Sequence, residues 1–405
     1  MIAVLFVAGF GSSMVFGSFI GGMADQHGRR KFVILFTVIY ALSCCTKHFK
    51  NFHILMLGRL LGGVATSLLF SVFDAWLIRS HADAGISSYL GKSFSSAMYG
   101  NGIIAILSGI VANKAASSGK LHPFFGEGGV FHIGGYVLPF DMALVALVVC
   151  GFMAAYTWEE NYGGTSSSEE QVKQRWYSAL KNAAIATGNN TDILLCGTIA
   201  SLFEGSMYIF VFMWTPAMTS ITKEETGEEN PSLPFGLIFS TFMVCCMAGS
   251  SLFSIVAEKI RGEVLAVGVF AVSSLSMCAM VTSNSGTVSF CSMNLFEFCV
   301  GMYWPVMGTM KGSIVPEDKR AAIYNLFRIP LNFIVLTSLL TDLTPAQSFK
   351  ANAGMLGVAS ILQFQLMKRR SNLVGAKRAE RKNAIDDNED EDSVVVDEDE
   401  AGDVV

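Results

Sequence analysis

A short charged segment, Gly21–Lys31, connects two long apolar runs near the start of the chain, Met1–Gly22 and Phe32–Cys45. It contains one acidic and three basic residues. A soluble protein has little reason to place so much charge in a tight connection between two apolar segments. The pattern is typical of two membrane-spanning helices joined by a short loop in water, where glycines permit a tight turn and close helix approach.

Similar apolar runs recur along the whole chain. A spanning helix needs about 20 mostly apolar residues, and charged residues make up only 15% of the sequence, against roughly 25% in soluble domains. We therefore predict an all-α membrane protein. Its eleven candidate spans are residues 1–22, 32–46, 52–78, 93–115, 139–157, 192–216, 234–257, 264–282, 287–308, 321–341 and 352–367.

The distribution of lysine and arginine predicts which side of the membrane each connection faces. Cytoplasmic connections carry an excess of these residues, so we place Gly21–Lys31 in the cytoplasm and alternate sides from there. Of the 28 lysines and arginines, 20 then fall on the cytoplasmic side, Lys311 among them, six fall outside, and two lie within spans. The C-terminus is therefore predicted to be cytoplasmic, and the N-terminus to face outside.

The chain divides into two helical halves, a linker and a tail. The linker contains a Gly- and Ser-rich stretch that predicts flexibility, followed by a predicted surface helix over Gln171–Ala186. A charged stretch at Ala257–Glu263 is a weak echo of the first charged segment and supports two related halves. The predicted boundaries are 1–158 for the first half, 159–191 for the cytoplasmic linker, 192–368 for the second half and 369–405 for the tail.

The tail is basic and then acidic. Residues 383–405 contain eleven acidic residues and no basic ones, so that removing them changes the net charge of the chain from −5 to +6. Such low-complexity acidic composition predicts a disordered segment.

No motif in the sequence points to enzymatic chemistry. It lacks a phosphate-binding loop, a nucleophile elbow and a cluster of metal ligands, and its nine cysteines have neither zinc-site nor disulfide-framework spacing. We predict no enzymatic activity, no cofactor, no bound metal and no nucleic-acid partner.

Five ionisable residues lie deep within predicted spans: Arg59, Asp74, Glu204, Glu297 and Arg328. Each costs about 2.5–3.5 kcal/mol on insertion scales, so such residues usually face a partner or a cavity. Arginine suits an oxyanion because its planar fork donates two hydrogen bonds and stays charged, whereas a buried glutamate such as Glu297 can carry a proton. Two roles stay open, a substrate or coupling site and structural pairing between helices.

The charged segment follows the pattern Gly-x-x-x-Asp-x-x-Gly-Arg-Arg, with Gly21, Asp25, Gly28, Arg29 and Arg30 at its fixed positions. This pattern resembles the signature loop between the second and third helices of the major facilitator superfamily. The resemblance implies twelve helices in two pseudo-symmetric halves and a gating role for these five residues. Because the signature follows the first span here, we expect the chain to begin one helix late, with its spans matching family helices 2 to 12.

Longer stretches carry a more specific resemblance. They are residues 58–63 with 69–76, 158–162, 202–204 with 209–216, 237–243 and 325–331. Together they resemble the molybdate-anion transporter family, a eukaryotic branch of the superfamily. The resemblance implies a central cavity lined by family helices 1, 4, 7 and 10, and four of the five buried charges fall on those helices; Arg328 is the exception.

The resemblance implies uptake of molybdate, a tetrahedral oxyanion, by alternating access across the plasma-membrane lipid bilayer, with a proton or another ion as the candidate coupling partner. Arg59 is the strongest predicted anion contact, and Arg328, from the other half, is the second. Two other functions stay open. One is transport of another small solute, such as a sugar or an organic anion. The other is a non-transporting sensor or scaffold, which a missing first helix would favour.

Overall fold

The computed structural model of the protein describes residues 2–399, apart from 125, 127–128, 164–175, 229–230, 232, 284 and 342. Side chains are described from residue 4 to residue 373, with the same gaps and without those of 18 and 176–179. This part of the chain forms thirteen α-helices and one short antiparallel sheet: α1 Ile2–His27, α2 Arg29–Cys45, α3 Phe52–Leu69, α4 Val72–Asp83, α5 Leu90–Ser117, β1 His122–Pro123, β2 His132–Ile133, α6 Leu138–Thr157, α7 Trp176–Asn189, α8 Thr191–Thr226, α9 Phe235–Val256, α10 Gly262–Thr282, α11 Gly286–Ile314, α12 Arg320–Leu340 and α13 Pro345–Asp399.

Each of the eleven predicted apolar runs falls on helix, which confirms the all-α membrane fold. Within the described residues, eight helical segments are long and apolar enough to cross a membrane, or nine if the bent α1 counts as one span. The helices α11 and α13 are not in that set. The corresponding runs, 287–308 and 352–367, therefore stay predicted spans.

The third apolar run is interrupted between α3 and α4, at Phe70 and Ser71. The Ser71 hydroxyl donates to the Ser67 carbonyl, 2.6 Å away, and accepts from the Asn325 amide of α12 at 3.0 Å. Side-chain hydroxyls that bond backbone carbonyls in this way compete with the helical ladder. The interruption thus lies where a polar side chain of the second half reaches the first.

The helices pack as two groups, α1–α6 and α8–α13. The first has a core around Phe36, Leu68 and Val72, and the second a larger, aromatic core around Phe203, Phe270 and Phe296. The groups meet where α1 packs against α12 and where α5 packs against α9 and α11. The predicted boundaries of the halves, the linker and the tail stay predictions.

The predicted signature loop is shorter than expected, because only Gly28 separates α1 from α2. Its φ of +110° is a backbone conformation that glycine adopts without strain. Asp25 belongs to the last turn of α1, and Arg29 to the first turn of α2. Both side chains are buried, Arg29 with no exposed surface at all, so the charges are part of the helix packing rather than of a solvated loop.

The linker and the tail are partly outside the described residues. The predicted surface helix appears as α7, Trp176–Asn189, while residues 171–175 and the Gly- and Ser-rich stretch from 164 lie outside the description. α7 packs against α1, α8 and α12. The helix α13 continues to Asp399, where we predicted disorder from residue 369. Lysine, arginine, alanine and glutamate in this segment are good helix formers.

Candidate functional site

A buried arginine joins the two halves on the predicted cytoplasmic side. Arg29 donates from Nε and Nη2 to Asp25 Oδ1, at 3.0 and 2.8 Å. It also donates from Nη1 to Glu317 Oε1, at 2.5 Å, and to the Ala75 carbonyl, at 3.0 Å. Glu317 lies just before α12 and pairs with Arg320 as well. The guanidinium therefore connects α1 and α4 of the first half to the start of α12.

Asp25 makes a second connection across the same interface. Its Oδ2 accepts the backbone N–H of Ala322, 3.2 Å away, in the first turn of α12. A helix N-terminus favours a carboxylate because its N–H groups are unpaired and its dipole is positive there. Gly21, one turn earlier, touches α12 so closely that a Cβ would collide with the Ala321 carbonyl. The signature residues thus hold α1 directly against α12.

The end of the first half wraps around this junction as a short strap, residues 158–163. Glu160 Oε1 accepts the backbone N–H of Arg30 at 2.8 Å, and the Asn161 carbonyl accepts that of Arg29 at 3.0 Å. Glu160 therefore caps α2 from a distant part of the chain, where Gly28 offers no side-chain cap. The Gly163 N–H donates to the Asp25 carbonyl at 2.9 Å. The strap fixes the position of the signature residues.

Two tryptophans attach the strap to α4. The rings of Trp76 and Trp158 stack with centroids 3.8 Å apart, and Trp76 donates its indole N–H to the Glu159 carbonyl at 2.8 Å. The exposed Lys92 of α5 and Glu258, just after α9, form a second ion pair between the halves at 2.6 Å. The hydrogen bond from Lys92, together with its charge, lowers the pKa of the Glu258 carboxyl.

A small cavity lined by residues of both halves lies between them, above this junction. Its charged residues come from both halves: Asp74 follows the α3–α4 interruption, and the others belong to α8, α11 and α12. Aromatic rings form much of the remaining wall, with Phe70 and Trp304 stacked at 6.0 Å. The lining residues are Phe70, Asp74, Ala200, Ser201, Glu204, Trp304, Lys311, Tyr324, Phe327 and Arg328.

Arg328 is a buried cation without a counter-charge bonded to it. Its side chain is 4% exposed, and its Nε and Nη2 atoms have no hydrogen-bond partner among the described residues. The guanidinium carbon lies 4.5 Å from the centre of the Phe70 ring, a cation–π contact. Since an unpaired buried charge is costly, these free N–H groups point to a ligand that would accept from them.

Lys311 is the second cation of the cavity. Its Nζ lies 3.0 Å from Glu204 Oε1, and the same oxygen accepts the Tyr303 hydroxyl at 2.8 Å. The sequence interpretation placed Lys311 in a cytoplasmic connection after a span that ended at residue 308, which is wrong. The helix α11 continues to Ile314, and Lys311 is largely buried within it.

The structure brings together three of the five predicted membrane charges, Asp74, Glu204 and Arg328, and leaves two elsewhere. Arg59 lies on α3, with its guanidinium carbon 4.8 Å from the centre of the Phe6 ring, and does not line the cavity. Glu297 is 7% exposed and has no hydrogen bond or ion pair in the described part of the chain. On α11 it lies 14 residues before Lys311, about 21 Å along the axis. Substrate contact by either residue stays a prediction.

The cavity and the junction below it share α12. Arg320, Tyr324 and Arg328 are spaced by four residues, so they follow one face of the helix, with Arg328 about 12 Å from Arg320 along its axis. Arg320 bonds Glu317 at the junction, while Tyr324 and Arg328 line the cavity. A movement of α12 would therefore change both places at once.

The architecture matches that of a known class of membrane transporters. A sequence profile described as sugar transporters with twelve transmembrane helices matches residues 1–302. The fold is similar to that of the proton:xylose symporter XylE, with a TM-score of 0.66 and 14% identity over 90% of this chain and 86% of that one. It is also similar to that of FucP in its outward conformation, with a TM-score of 0.66 and 12% identity over 90% of each chain. At such identities the likeness shows the fold alone: this is a multi-pass membrane protein with the major facilitator fold.

Relatives with known names show to which family of these transporters the chain belongs. The molybdate-anion transporter of Xenopus tropicalis is 32% identical over 349 residues, which cover 84% of this chain and 70% of the relative. That of Danio rerio is 28% identical over 365 residues, with 84% and 71% covered. The chain belongs to the molybdate-anion transporter family of the major facilitator superfamily. The relatives are named as transporters, which agrees with the prediction that this protein is not an enzyme.

Proposed function

We propose that the protein takes up molybdate, or a closely related tetrahedral oxyanion, by alternating access. The observation that carries the proposal is Arg328, a buried guanidinium with two unpartnered nitrogens facing a cavity between the halves. Lys311 of α11 supplies a second positive charge in the lining of the same cavity. The names of the relatives supply the substrate.

The chemistry of the cavity suits an oxyanion. A guanidinium donates two parallel hydrogen bonds to neighbouring oxygens of one anion and remains charged at physiological pH. An ammonium is a compact point charge that adds attraction without imposing a direction. Arg328 therefore orients the anion, and Lys311 adds to its binding energy.

The junction of Arg29, Asp25 and Glu317 is the proposed cytoplasmic gate. It lies between the cavity and the predicted cytoplasmic surface. The ion pair of Arg29 with Glu317 joins the two halves, as does the hydrogen bond from the Ala322 N–H to Asp25. Breaking them would let α1 and α12 separate and open the cavity inward. Gly21, Gly28 and Arg30 support the gate through close packing, backbone geometry and the cap from Glu160.

Arg59 and Glu297 are assigned to the outer part of the pathway. Arg59 lies seven residues after the start of α3, whose first residue follows a predicted outer connection. Glu297, Trp304 and Lys311 recur every seven residues on α11 and so share a face that leads to the cavity. We propose the plasma membrane as the location, with the C-terminus in the cytoplasm.

Uptake of molybdate into cells without a molybdate uptake system of their own tests the proposal. Expression of the protein should raise cellular molybdate, and Arg328→Gln should remove most of that rise at unchanged surface expression. Arg369→Gln is the matched control, because Arg369 is half-exposed and pairs with Asp192 outside the cavity. Uptake by Arg328→Gln at the wild-type rate would refute the assigned site.

A second candidate substrate is a sugar. The matching profile is described as sugar transporters, and the stacked Phe70 and Trp304 rings offer an apolar surface to a sugar ring. A neutral solute would leave the Arg328 charge uncompensated, which makes it the weaker candidate. Labelled hexose uptake in the same cells distinguishes the two.

A further inference from the structure

The cavity contains equal numbers of positive and negative side chains. Arg328 and Lys311 are cationic, and Glu204 and Asp74 are anionic, so the four charges cancel when all are ionised. Glu204 is paired with Lys311, whereas Asp74 has no hydrogen bond or ion pair in the described part of the chain. The empty cavity is therefore neutral without any added ion.

A bound dianion would upset this balance. Molybdate carries two negative charges at neutral pH, so the buried site would hold a net charge of −2 if nothing else changed. An uncompensated buried charge is strongly unfavourable. Lys311 lies 3.0 Å from Glu204, so an anion that Lys311 binds would share one ammonium with that carboxylate, which also accepts the Tyr303 hydroxyl. The anion and the Glu204 carboxylate would then lie close together around one positive charge, which is unfavourable while the carboxylate is ionised.

We propose, on the basis of the proposed function, that each oxyanion dianion is carried together with two protons, one on Glu204 and one on Asp74. The loaded site then contains two cationic side chains, two neutral carboxyls and one dianion, and is neutral. The anion and both protons bind from outside and leave to the cytoplasm, and the carboxylates reionise when the anion departs. No covalent bond forms or breaks except the O–H bonds of the two carboxyls. Transport is electroneutral.

Among the described residues, the surroundings of the two carboxylates contain no further cation that could replace the protons. Glu204 is surrounded by residues of its own helix and of α4, α11 and α12. The charged and titratable groups around it are Cys196, Asp74, Tyr303, Lys311 and Arg328, and those around Asp74 are Lys311, Glu204, Tyr303 and Tyr324. Arg328 and Lys311 are the two cations among these groups, and the anion itself engages both.

The test uses the purified full chain in liposomes, with molybdate as the probe and the membrane potential set by potassium and valinomycin. At zero potential, an outside pH one unit below the inside should drive about 100-fold accumulation at equilibrium, since each proton contributes a factor of ten per pH unit. An inside-negative potential of about 100 mV should leave that value unchanged, because no net charge moves.

Glu204→Gln and Asp74→Asn should each lose one proton. Accumulation then falls to about tenfold at the same pH gradient, and one negative charge moves per anion. An inside-negative potential of about 100 mV opposes that charge by about 2.3 kcal/mol, which is a further decrease of roughly 50-fold. The measured quantity is the ratio of molybdate accumulation with and without the imposed gradient for one and the same variant. A variant that transports more slowly is therefore still informative. Glu225→Gln, at the other end of α8, is the matched control and should behave as wild type.

Three results would overturn the inference. Wild-type accumulation that ignores the pH gradient would exclude proton coupling, and wild-type accumulation that falls at inside-negative potential would exclude two protons per anion. Loss of a proton in Glu297→Gln instead of Glu204→Gln would move the coupling site along α11. A wild-type protein that carries no molybdate at all, even in exchange for internal molybdate, would refute the proposed function instead.

Discussion

Replacing Glu317 with glutamine should weaken the cytoplasmic gate and leave the cavity intact. Glutamine keeps the shape and one acceptor oxygen, but removes the charge that holds Arg29, 2.5 Å away, and Arg320. Breaking one partner of a fully buried ion pair costs about 3–5 kcal/mol. Because the Glu317 side chain is 25% exposed, we expect roughly 2 kcal/mol, in the range of a charge-assisted hydrogen bond. The ratio of molecules with a closed cytoplasmic gate to molecules with an open one should therefore fall about 30-fold.

The assay is the distance between spin labels on the two halves. Positions 84 and 260 are exposed, lie at the predicted cytoplasmic edge, and follow α4 and α9 respectively. With the nine native cysteines replaced, labels at these positions should show a longer distance in Glu317→Gln than in the parent protein. Molybdate affinity should change little.

Asp318→Asn is the matched control, because Asp318 is the next carboxylate, half-exposed and paired only with neighbouring Lys319 at 3.2 Å. Such a surface pair is worth about 0.5 kcal/mol or less, so the distance distribution should hardly change. Equal distance distributions for Glu317→Gln and the parent protein would refute the assignment of this junction as the gate. An equal change in Asp318→Asn would refute it as well. Lost molybdate affinity without a longer distance would mean that the residue belongs to the binding site.

Other regions give further predictions. Arg59→Gln should slow molybdate uptake while equilibrium binding in the cavity is retained, because Arg59 lies outside it. Loss of molybdate binding in this variant would show that Arg59 belongs to the binding site. Glu160→Ala removes the cap on the Arg30 N–H, costs about 1 kcal/mol and should slow the transport cycle, with the exposed Glu159 replaced by alanine as the control; equal rates would show that the strap does not support the gate. A protease-sensitive tag after Val405 should be cut only in permeabilised cells, and cutting in intact cells would reverse the topology.

The sequence was sufficient to predict the class of fold because a membrane restricts backbone structure so strongly. Apolar runs of spanning length must be helical in lipid, and each predicted run lies on helix in the structure. The signature pattern also identified Asp25 and Arg29. Its partner Glu317 was missed, because that residue lies between Pro316 and Lys319 in a short polar connection that reads as solvent-exposed.

Three of the four charged cavity residues, Asp74, Glu204 and Arg328, were predicted from the sequence, but Lys311 and the pairing within the cavity were not. Glu204 and Lys311 are 107 residues apart, and their pairing depends on how α8 and α11 are rotated against each other. The hydropathy pattern predicted that the ninth span, 287–308, ends before Lys311, because a lysine is unfavourable among apolar residues in a membrane. The spacing of Glu297, Trp304 and Lys311 by seven residues was the available signal, because it places all three on one helical face.

The two membrane arginines also show what the sequence could not predict, namely which of them lines the cavity. The sequence analysis placed Arg59 and Arg328 in different halves and predicted both as contacts of the anion. The structure puts a phenylalanine ring under each guanidinium, Phe6 under Arg59 and Phe70 under Arg328, but only Arg328 lines the cavity. Depth along a helix, which spacing gives only roughly, decided which arginine faces the site.

The most direct test of the assigned site is calorimetric titration of molybdate into the purified protein and into its Arg328→Gln variant. Truncating one partner of a buried, hydrogen-bonded charge pair costs about 2–5 kcal/mol, so the variant should bind molybdate at least roughly 30-fold more weakly, while Arg369→Gln binds as wild type does. An Arg328→Gln protein that is folded and binds molybdate with wild-type affinity would contradict the assignment of this cavity as the anion site.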